Sequence, residues 1–459
     1  MRTFLKSFEK SLHLLSRQIF FICLFLIFYG FLFFLYTEES PELRRISRVS
    51  VVTVISYFVA QYGMMRVYGG FSIGRKRTRE IILSMTIAVA VTDALGFMML
   101  TIMQKKIDDV ILLLPIFAAQ TAFIILYTKL CTTIHDSLHP PKSLVIFYND
   151  RERLPAVLGK LRDEQNRFRV SKLMRYDSEG LHRAIRTHDA VMVLDAPDDR
   201  KKMILEYCYK RQKEAFFLPG LNDILVNNAR HELLGDTSLF ACGHTGLSLE
   251  QRILKRASDL VISGIGILLT LPVMAVIAMA IRVSDGGPAL FRQERVTQGG
   301  RLFRLCKFRS MIIDAERENE AILAAKDDPR ITRVGAFLRK TRLDELPQLF
   351  NIFAGQMSLV GPRPERESIA LAYSTDLPEF RYRLKVKAGL TGLAQTMGKY
   401  NTTPKDKLTL DLLYIEGYSF RLDLKILFQT VVVMLTPEST EGFSETDQTL
   451  FEDDDSLGE

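Results

Sequence analysis

The chain is short of histidine and cysteine, the two residues on which much enzyme chemistry depends. It has 7 histidines and 5 cysteines among 459 residues, and no histidine follows Gln251. Cys306 is the one cysteine beyond that point, and no CxxC pair occurs in the sequence. Disulfide frameworks and structural zinc sites are therefore disfavoured. Chemistry in the second half of the chain must use carboxylates, hydroxyls and cations, with or without a hard metal ion.

Long apolar runs, by contrast, fill the first third of the chain. The four stretches 18–36, 49–65, 81–103 and 109–131 each approach the ~20 residues that cross a bilayer as a helix. We therefore predict four membrane-spanning helices within residues 1–140. The first stretch is too long and aromatic for the core of a signal peptide and lacks a small-residue cleavage site, so it should be retained.

Positive charges between these stretches predict the orientation, because Lys and Arg accumulate on the cytoplasmic side of short loops. The first loop carries mixed charges and the third has few. The N-terminal segment and the second loop are basic, with Arg2, Lys6, Lys10, Arg17, Arg66, Arg75, Lys76, Arg77 and Arg79. The N-terminus and everything after the fourth stretch are thus expected on the cytoplasmic side of the membrane.

The net charge of +8 is compatible with several classes of anionic partner, including nucleic acid. Many of the basic residues flank apolar stretches, which favours anionic membrane lipids and phosphorylated substrates over nucleic acid. We expect no nucleic-acid binding.

Residues 141–240 change to short apolar runs that alternate with charged helical stretches. Strands are predicted at 143–150, 168–174, 190–195 and 215–219, with helices between them. This alternation predicts a small parallel, Rossmann-like α/β domain. The turn after the first strand, YNDRERLP, has no glycines for a pyrophosphate, which favours a structural or regulatory module over a nucleotide site.

A fifth apolar stretch, 261–281, is also long enough to cross a bilayer. Arg and Lys flank both of its ends, which places the two ends on the same side. Pro272 removes a backbone donor near the middle and allows a bend. We predict a re-entrant, broken helix that dips into one leaflet; the alternative is a straight fifth span.

The sequence after the re-entrant helix is a mixed α/β segment that extends to residue 436. Together with the re-entrant helix it is predicted to form one domain at 250–436. A tail follows at 437–459. The tail is acidic and poor in apolar residues, so we expect disorder. A helix near the end of the mixed segment has one apolar face, which could pack in a core or lie on the membrane. That face comprises Phe420, Leu424, Leu427, Phe428, Val431 and Leu435.

Two adjacent acids, Asp344 and Glu345, interrupt a basic segment that reads TRLDELPQ at 341–348. Cations lower the pKa of a neighbouring carboxyl group and keep it ionised, as an oxygen nucleophile toward phosphorus requires. Pro347 is tolerated in the first turn of a helix, so the acids should lie at a helix N-terminus that favours phosphate. The simpler alternative is a helix cap.

Five segments around these acids occur in a specific order. They are GPALFRQERV (287–296), LCKFRSM (305–311), DDPRITRVGAFLRKTRLDELPQLFN (327–351), MSLVGPRP (357–364) and KAGLTGLAQTMGK (387–399). Together they resemble the monotopic phosphoglycosyltransferases, which are bacterial polyprenyl-phosphate sugar-1-phosphate transferases. The resemblance covers about 255–436, and the preceding spans and α/β module resemble the large form of that family.

This resemblance implies a transfer in two steps. Asp344 would attack the β-phosphate of a UDP-sugar, release UMP and hold the sugar phosphate covalently, and undecaprenyl phosphate would then take it. Asp344 and Glu345 would hold Mg²⁺, and Pro272 would bend the re-entrant helix. The family motifs assign substrate binding to Lys307, Arg309, Arg339, Pro362, Arg363, Pro364 and Gln395.

The resemblance also implies that the protein lies in a bacterial inner membrane and catalyses the priming step of capsule, exopolysaccharide or O-antigen synthesis. Glucose and galactose are both open as the donor sugar, and N-acetylated sugars are compatible. A homodimer and contacts with other polysaccharide assembly proteins fit the architecture. Two rival functions are a membrane scaffold or sensor with a silent catalytic domain, and a lipid transporter, which the lack of an inverted repeat disfavours.

Overall fold

The structure is a computed structural model in which two compact units, Met1–Pro219 and Gly220–Glu459, can be distinguished. The predicted disordered tail and most of the first loop lie outside the described residues. The structure describes residues 9–36, 48–68, 73–74, 76–104, 110–149, 151, 154–162, 164–242, 246–313, 328–398 and 403–434.

The first unit begins with helices at each of the predicted spans. They are α1 (Glu9–Tyr36), α2 (Arg48–Tyr68), α3 (Thr78–Gln104) and, after a 3-10 turn, α4 (Leu113–Leu138). Among the described residues, α3 and α4 are long and apolar enough to cross a membrane, and the apolar part of α1 is shorter. The four-span bundle stays a prediction.

Asp93, the one acid within the apolar part of α3, links three of these helices. The Tyr57 hydroxyl on α2 donates to Asp93 Oδ1 at 2.7 Å, and Gln120 Nε2 on α4 donates to the Tyr57 oxygen at 3.1 Å. All three side chains are buried, and Tyr57 stacks on Phe28 of α1 with ring centroids 4.0 Å apart. Asp93 therefore takes part in hydrogen bonds that join α2, α3 and α4.

A four-stranded parallel sheet in the order β2-β1-β3-β4 completes the first unit. Its strands lie within two residues of the predicted bounds, and apolar side chains such as Val145 on one face and Ile146 on the other bury both faces. The elements in chain order are β1 (Lys142–Tyr148), α5 (Leu154–Arg162), β2 (Phe168–Arg175), α6 (Leu181–Thr187), β3 (Ala190–Leu194), α7 (Asp198–Lys210) and β4 (Glu214–Phe217).

The second unit opens with helix α8 (Leu221–Asn227) and an antiparallel hairpin of β5 (Arg230–Leu234) and β6 (Thr237–Ala241). These elements were predicted to belong to the middle domain at 141–240, whereas in the structure the first compact unit ends at Pro219.

Helix α9 (Leu249–Asp285) is 37 residues long and passes through Pro272 without interruption. Ser248 and Gln251 form a capping box at its start, and Gly286 ends it in the left-handed conformation with φ 73°. The helix is long and apolar enough to cross a membrane. The predicted break at Pro272 and the re-entrant path stay predictions.

The rest of the second unit packs around an apolar core that includes Leu349, Phe380 and Leu412, and around a smaller cluster of α9 residues with Phe308 and Leu338. Strands β7 and β8 form an antiparallel ribbon, and β9 pairs in parallel with β10. The elements are β7 (Leu290–Val296), β8 (Leu302–Phe308), α10 (Arg333–Thr341), α11 (Gln348–Phe353), β9 (Ser358–Val360), α12 (Glu367–Asp376), β10 (Gly389–Thr391), α13 (Leu393–Met397), α14 (Pro404–Glu416) and α15 (Phe420–Met434).

Helix α15 is the predicted amphipathic helix, and the side facing the core differs from the predicted apolar face. Asp423, Ile426 and Val432 are buried, whereas Val431 and Met434 are exposed. The side of α15 with Asp423 and Ile426 therefore packs in the core, and membrane contact of the predicted apolar face stays a prediction. The pattern misled because the buried Asp423 carries an ion pair that apolar periodicity does not report.

Candidate functional site

The two acids lie in a 3-10 turn (Leu343–Glu345) between α10 and α11. Arg342 ends α10 in the left-handed conformation with φ 54°, which is strained for a side chain of this size. The Glu345 N–H donates to the Arg342 carbonyl at 3.2 Å. The acids thus lie just before the short α11, close to the predicted helix N-terminus, and Pro347 is the residue immediately before its first residue.

Asp344 is half-buried, and this burial decides its ionisation. The pKa of Asp344 is raised from 3.8 to about 6, mainly by burial and then by the neighbouring Glu345 carboxylate, although Lys307 and Arg339 act in the opposite direction. The expectation of a lowered pKa was wrong, because the loss of hydration outweighs the cations. The carboxyl group is still mostly ionised at neutral pH.

Two cations face Asp344 from different elements. Lys307 comes from the end of β8 and lies 5.0 Å above the centroid of the Phe291 ring on β7. Arg339 comes from the last turn of α10, and its Nε donates to Ser310 Oγ at 2.9 Å. Both residues were predicted from the motifs, and the fold brings them to the same carboxylate.

Glu345 has a cation of its own, Arg363, in the Pro-Arg-Pro loop. The closest guanidinium nitrogen lies 3.3 Å from Glu345 Oε1. The loop is held by its backbone, because Gly389 N donates to the Pro362 carbonyl at 2.9 Å and Arg295 donates to the Pro364 carbonyl at 3.1 Å. Of the three loop residues predicted to bind substrate, Arg363 thus lies beside Glu345, and Pro362 and Pro364 anchor the loop through their carbonyl groups.

Arg383 contacts the backbone of the Pro-Arg-Pro loop and was not predicted from the sequence. Its guanidinium donates to the Arg363 carbonyl at 3.0 Å and pairs with Asp411 at 2.8 Å and Glu365 at 3.6 Å. Lys407 also pairs with Glu365, at 3.0 Å. These residues come from separate parts of the sequence with no motif spacing, so only the fold reveals the network.

Three other predicted residues lie elsewhere in the unit. Arg309 is buried and pairs with Asp285 at the end of α9. Gln395 on α13 donates to the Leu390 carbonyl at 3.3 Å, and Pro272 is inside α9. These contacts give Arg309 and Gln395 structural partners, and their predicted roles in substrate binding stay predictions.

Asp344 and Glu345 are the candidates for holding a metal ion. Within the described segments, no group of three or more His, Cys, Asp or Glu side chains could hold one. Mg²⁺ commonly binds through one or two carboxylates together with substrate phosphates and waters. The adjacent acids therefore fit Mg²⁺ bound jointly with a phosphorylated ligand, and do not fit a metal site made by protein side chains alone.

Comparison with known proteins is most informative for the second unit. A family model described as bacterial sugar transferase matches residues 250–437. A UDP-glucose:undecaprenyl-phosphate glucose-1-phosphate transferase from Klebsiella pneumoniae is 39% identical over 220 residues, 47% of each chain. A UDP-N-acetylgalactosamine-undecaprenyl-phosphate N-acetylgalactosaminephosphotransferase from Aeromonas hydrophila is 40% identical over 256 residues, 54% of this chain and 59% of the relative.

A shorter relative is matched over most of its length. A Bacillus subtilis (strain 168) protein, provisionally named an undecaprenyl-phosphate N-acetylgalactosaminyl 1-phosphate transferase, is 49% identical over 131 residues. These are 28% of this chain and 73% of that protein. The match to the first two relatives spans about half of their length.

Proposed function

The chain belongs to the bacterial sugar transferase family, and from this premise we propose that it transfers a sugar-1-phosphate from a UDP-sugar to undecaprenyl phosphate. The products are undecaprenyl-diphosphate-sugar and UMP. The activities for which the Klebsiella and Aeromonas relatives are named support this assignment. We place the reaction at the priming step of exopolysaccharide, capsule or O-antigen synthesis.

In the proposed reaction, the phosphoryl group that bears the sugar is transferred first to Asp344 and then to undecaprenyl phosphate. A carboxylate oxygen of Asp344 attacks the β-phosphorus of the UDP-sugar, and UMP departs with the electron pair of the broken P–O bond. A phosphate oxygen of undecaprenyl phosphate then attacks the same phosphorus, and the Asp344 carboxylate departs. The carboxylate is restored and no redox partner is needed.

One observation carries the assignment of Asp344: a half-buried carboxyl group with a pKa of about 6 lies in the field of Lys307 and Arg339. At neutral pH such a group is ionised, yet poorly hydrated and therefore reactive. The same cations would offset the repulsion between the carboxylate and the incoming phosphates. Arg363 would serve the nucleotide in the same way.

Mg²⁺ is proposed as the cofactor. Asp344 and Glu345 would hold it, and when bound it supplies positive charge to the phosphate oxygens during transfer. The side chains of Lys307, Arg339 and Arg363 would bind the phosphate oxygens of the two substrates.

We propose that α9 dips into one leaflet and does not cross the bilayer. Lys255 near its start pairs with Asp423, and Asp285 at its end pairs with Arg309, so residues of the same unit bind both ends. Between them, Leu268 and Leu269 near Pro272 are highly exposed, as expected for contact with lipid tails. The site would then lie at the headgroup level of the cytoplasmic face, within reach of a soluble nucleotide-sugar and a membrane lipid.

The donor sugar is proposed to be a hexose, glucose or galactose, with the N-acetylated forms open because relatives act on both kinds. The test incubates the purified protein with Mg²⁺, undecaprenyl phosphate and a panel of UDP-sugars while UMP release is measured. We expect release with at least one donor and none from Asp344→Asn. No release with any donor would contradict the proposed activity and favour a scaffold role.

A further inference from the structure

Lys307, one of the two cations that act on Asp344, contacts an aromatic ring on the neighbouring strand. The antiparallel register of β7 and β8 pairs Phe291 directly with Lys307, so the two side chains lie on the same face of the ribbon. The Lys307 ammonium nitrogen lies 5.0 Å from the centroid of the Phe291 ring, which is within the range of a cation–π interaction. Both residues are half-buried.

The backbone that carries Lys307 is fixed along both edges of β8. One edge pairs with β7, and the side-chain amide of Asn351 on α11 caps the other edge. Asn351 Nδ2 donates to the Arg304 carbonyl at 2.8 Å, and the Cys306 N–H donates to Asn351 Oδ1 at 2.9 Å. Asn351 is buried, and its helix begins just after the acids. The amide thus ties the strand of the lysine to the segment that carries the acids.

A fixed backbone does not by itself fix the charge of Lys307. A flexible four-carbon stem separates the ammonium group from the backbone, and holding that stem in one position costs conformational entropy. A carboxylate partner would restrain the ammonium group but would also offset its charge. An aromatic face attracts the ammonium group without such an offset. The contact with the Phe291 ring therefore restrains the lysine and leaves its positive charge for phosphate oxygens.

We propose that Phe291 is a positioning residue, whose ring face holds the Lys307 ammonium group beside Asp344 for contact with the substrate phosphates. This inference rests on the proposed function and adds to it an uncharged residue that acts through the lysine. The position of β8 beside the turn of the acids supports it, because Phe308, which follows Lys307, shares an apolar cluster with Leu343. If Phe291 only filled space, the charge distribution of its ring would not matter.

The test changes the charge distribution of the ring and keeps its shape. Phe291 is replaced in the full chain by mono-, di- and trifluorinated phenylalanine, which weaken the negative ring face stepwise with little change in volume. UMP release from the preferred UDP-sugar, with Mg²⁺ and undecaprenyl phosphate, gives kcat/KM for each variant. Phe291→Leu, which removes the ring, and Phe291→Tyr, which keeps it, complete the series. Thermal unfolding reports on the fold of every variant.

Phe217→Leu is the matched control. Lys201 Nζ lies 4.7 Å from the centroid of the Phe217 ring, so the first unit contains a lysine–phenylalanine contact of the same kind. Its loss should leave kcat/KM unchanged, because neither residue belongs to the bacterial sugar transferase segment at 250–437. A second control repeats Phe291→Leu in the Lys307→Gln background, where the ring has no ammonium group to hold.

We expect kcat/KM for the UDP-sugar to fall with each added fluorine, by about two- to thirtyfold across the series, at an unchanged Tm. Phe291→Leu should show the full loss and Phe291→Tyr should retain most of the parent activity. Phe291→Leu should cause no further loss in the Lys307→Gln background. Equal kcat/KM across the fluorinated series, or the same loss from Phe291→Leu with and without Lys307, would overturn the positioning role.

Failure of this inference and failure of the proposed function give different results. A parent protein that releases UMP, together with fluorinated variants of equal kcat/KM, overturns the role of Phe291 alone. A parent protein that releases no UMP from any UDP-sugar overturns the proposed function and this inference with it.

Discussion

Lys255 Nζ lies 2.7 Å from Asp423 Oδ2, and both side chains are only 7% exposed. This ion pair joins the start of α9 to α15, and the Tyr414 hydroxyl donates to the second carboxylate oxygen of Asp423 at 2.8 Å. A buried pair of this kind fixes geometry, because either charge alone would be costly in the interior. The start of α9 is therefore held to the domain that carries the acids.

The first prediction concerns this pair. Asp423→Ala should destabilise the protein by about 3–5 kcal/mol, because it leaves the Lys255 charge buried without its partner. Thermal unfolding in detergent or nanodiscs measures the loss. Glu294→Gln, which removes the exposed Arg304–Glu294 pair, is the control and should change stability by less than about 1 kcal/mol. Equal effects of the two substitutions would contradict the anchoring role.

The second prediction is the pH dependence of turnover. The nucleophile must be ionised, and the pKa of Asp344 is about 6, so kcat/KM should fall as the pH drops below that value. Lys307→Gln removes a cation that lowers this pKa, so the acid limb of the profile should move to higher pH. A profile that is flat from pH 5 to 7 in the parent, about one pH unit either side of 6, would argue against Asp344 as nucleophile.

The third prediction separates stability from activity at Asp344. Its folded pKa of about 6 lies above the ordinary 3.8, so the unfolded chain releases this proton first as the pH rises. The contribution of Asp344 to stability therefore falls between these two values and stays unfavourable above them. Asp344→Asn should abolish UMP release yet unfold at the same or a higher Tm than the parent at pH 7. A lower Tm would contradict the burial argument.

The fourth prediction distinguishes two arginines that the motifs place together. Arg309→Gln breaks the buried contact with Asp285 and should lower stability by about 1–3 kcal/mol. Arg339→Gln should leave the Tm nearly unchanged and raise the KM for undecaprenyl phosphate. Thermal unfolding and steady-state kinetics on both variants provide the check, and a reversed pattern would return Arg309 to the substrate site.

The fifth prediction assigns a positioning role to Arg383. Its contact with the Arg363 carbonyl sets the loop that faces Glu345. Arg383→Ala should raise the KM for the UDP-sugar and also lower the Tm, because Asp411 loses its buried partner. Arg383→Lys should recover part of the stability but less of the KM, since Lys cannot reproduce the guanidinium fork. Full recovery of both by Lys would indicate a purely electrostatic role.

Features that depend on a short stretch of sequence could be predicted from that stretch. The strands β1 to β4 follow from apolar runs and turn residues, and the acids, Lys307, Arg339 and Arg363 follow from ordered motifs. Burial could not be predicted in the same way. The pKa of Asp344 depends on how much water the fold removes, and the partners of Arg383 come from distant segments, so neither leaves a periodic signal in the sequence.

The most direct test of the account traps the covalent sugar phosphate on Asp344. The purified protein is incubated with Mg²⁺ and the preferred UDP-sugar in the absence of undecaprenyl phosphate, and its intact mass is recorded. The account predicts a mass increase of one sugar phosphate that maps to the peptide containing Asp344 and disappears when undecaprenyl phosphate is added. Turnover of the same donor without any adduct, or with undiminished activity in Asp344→Asn, would contradict it.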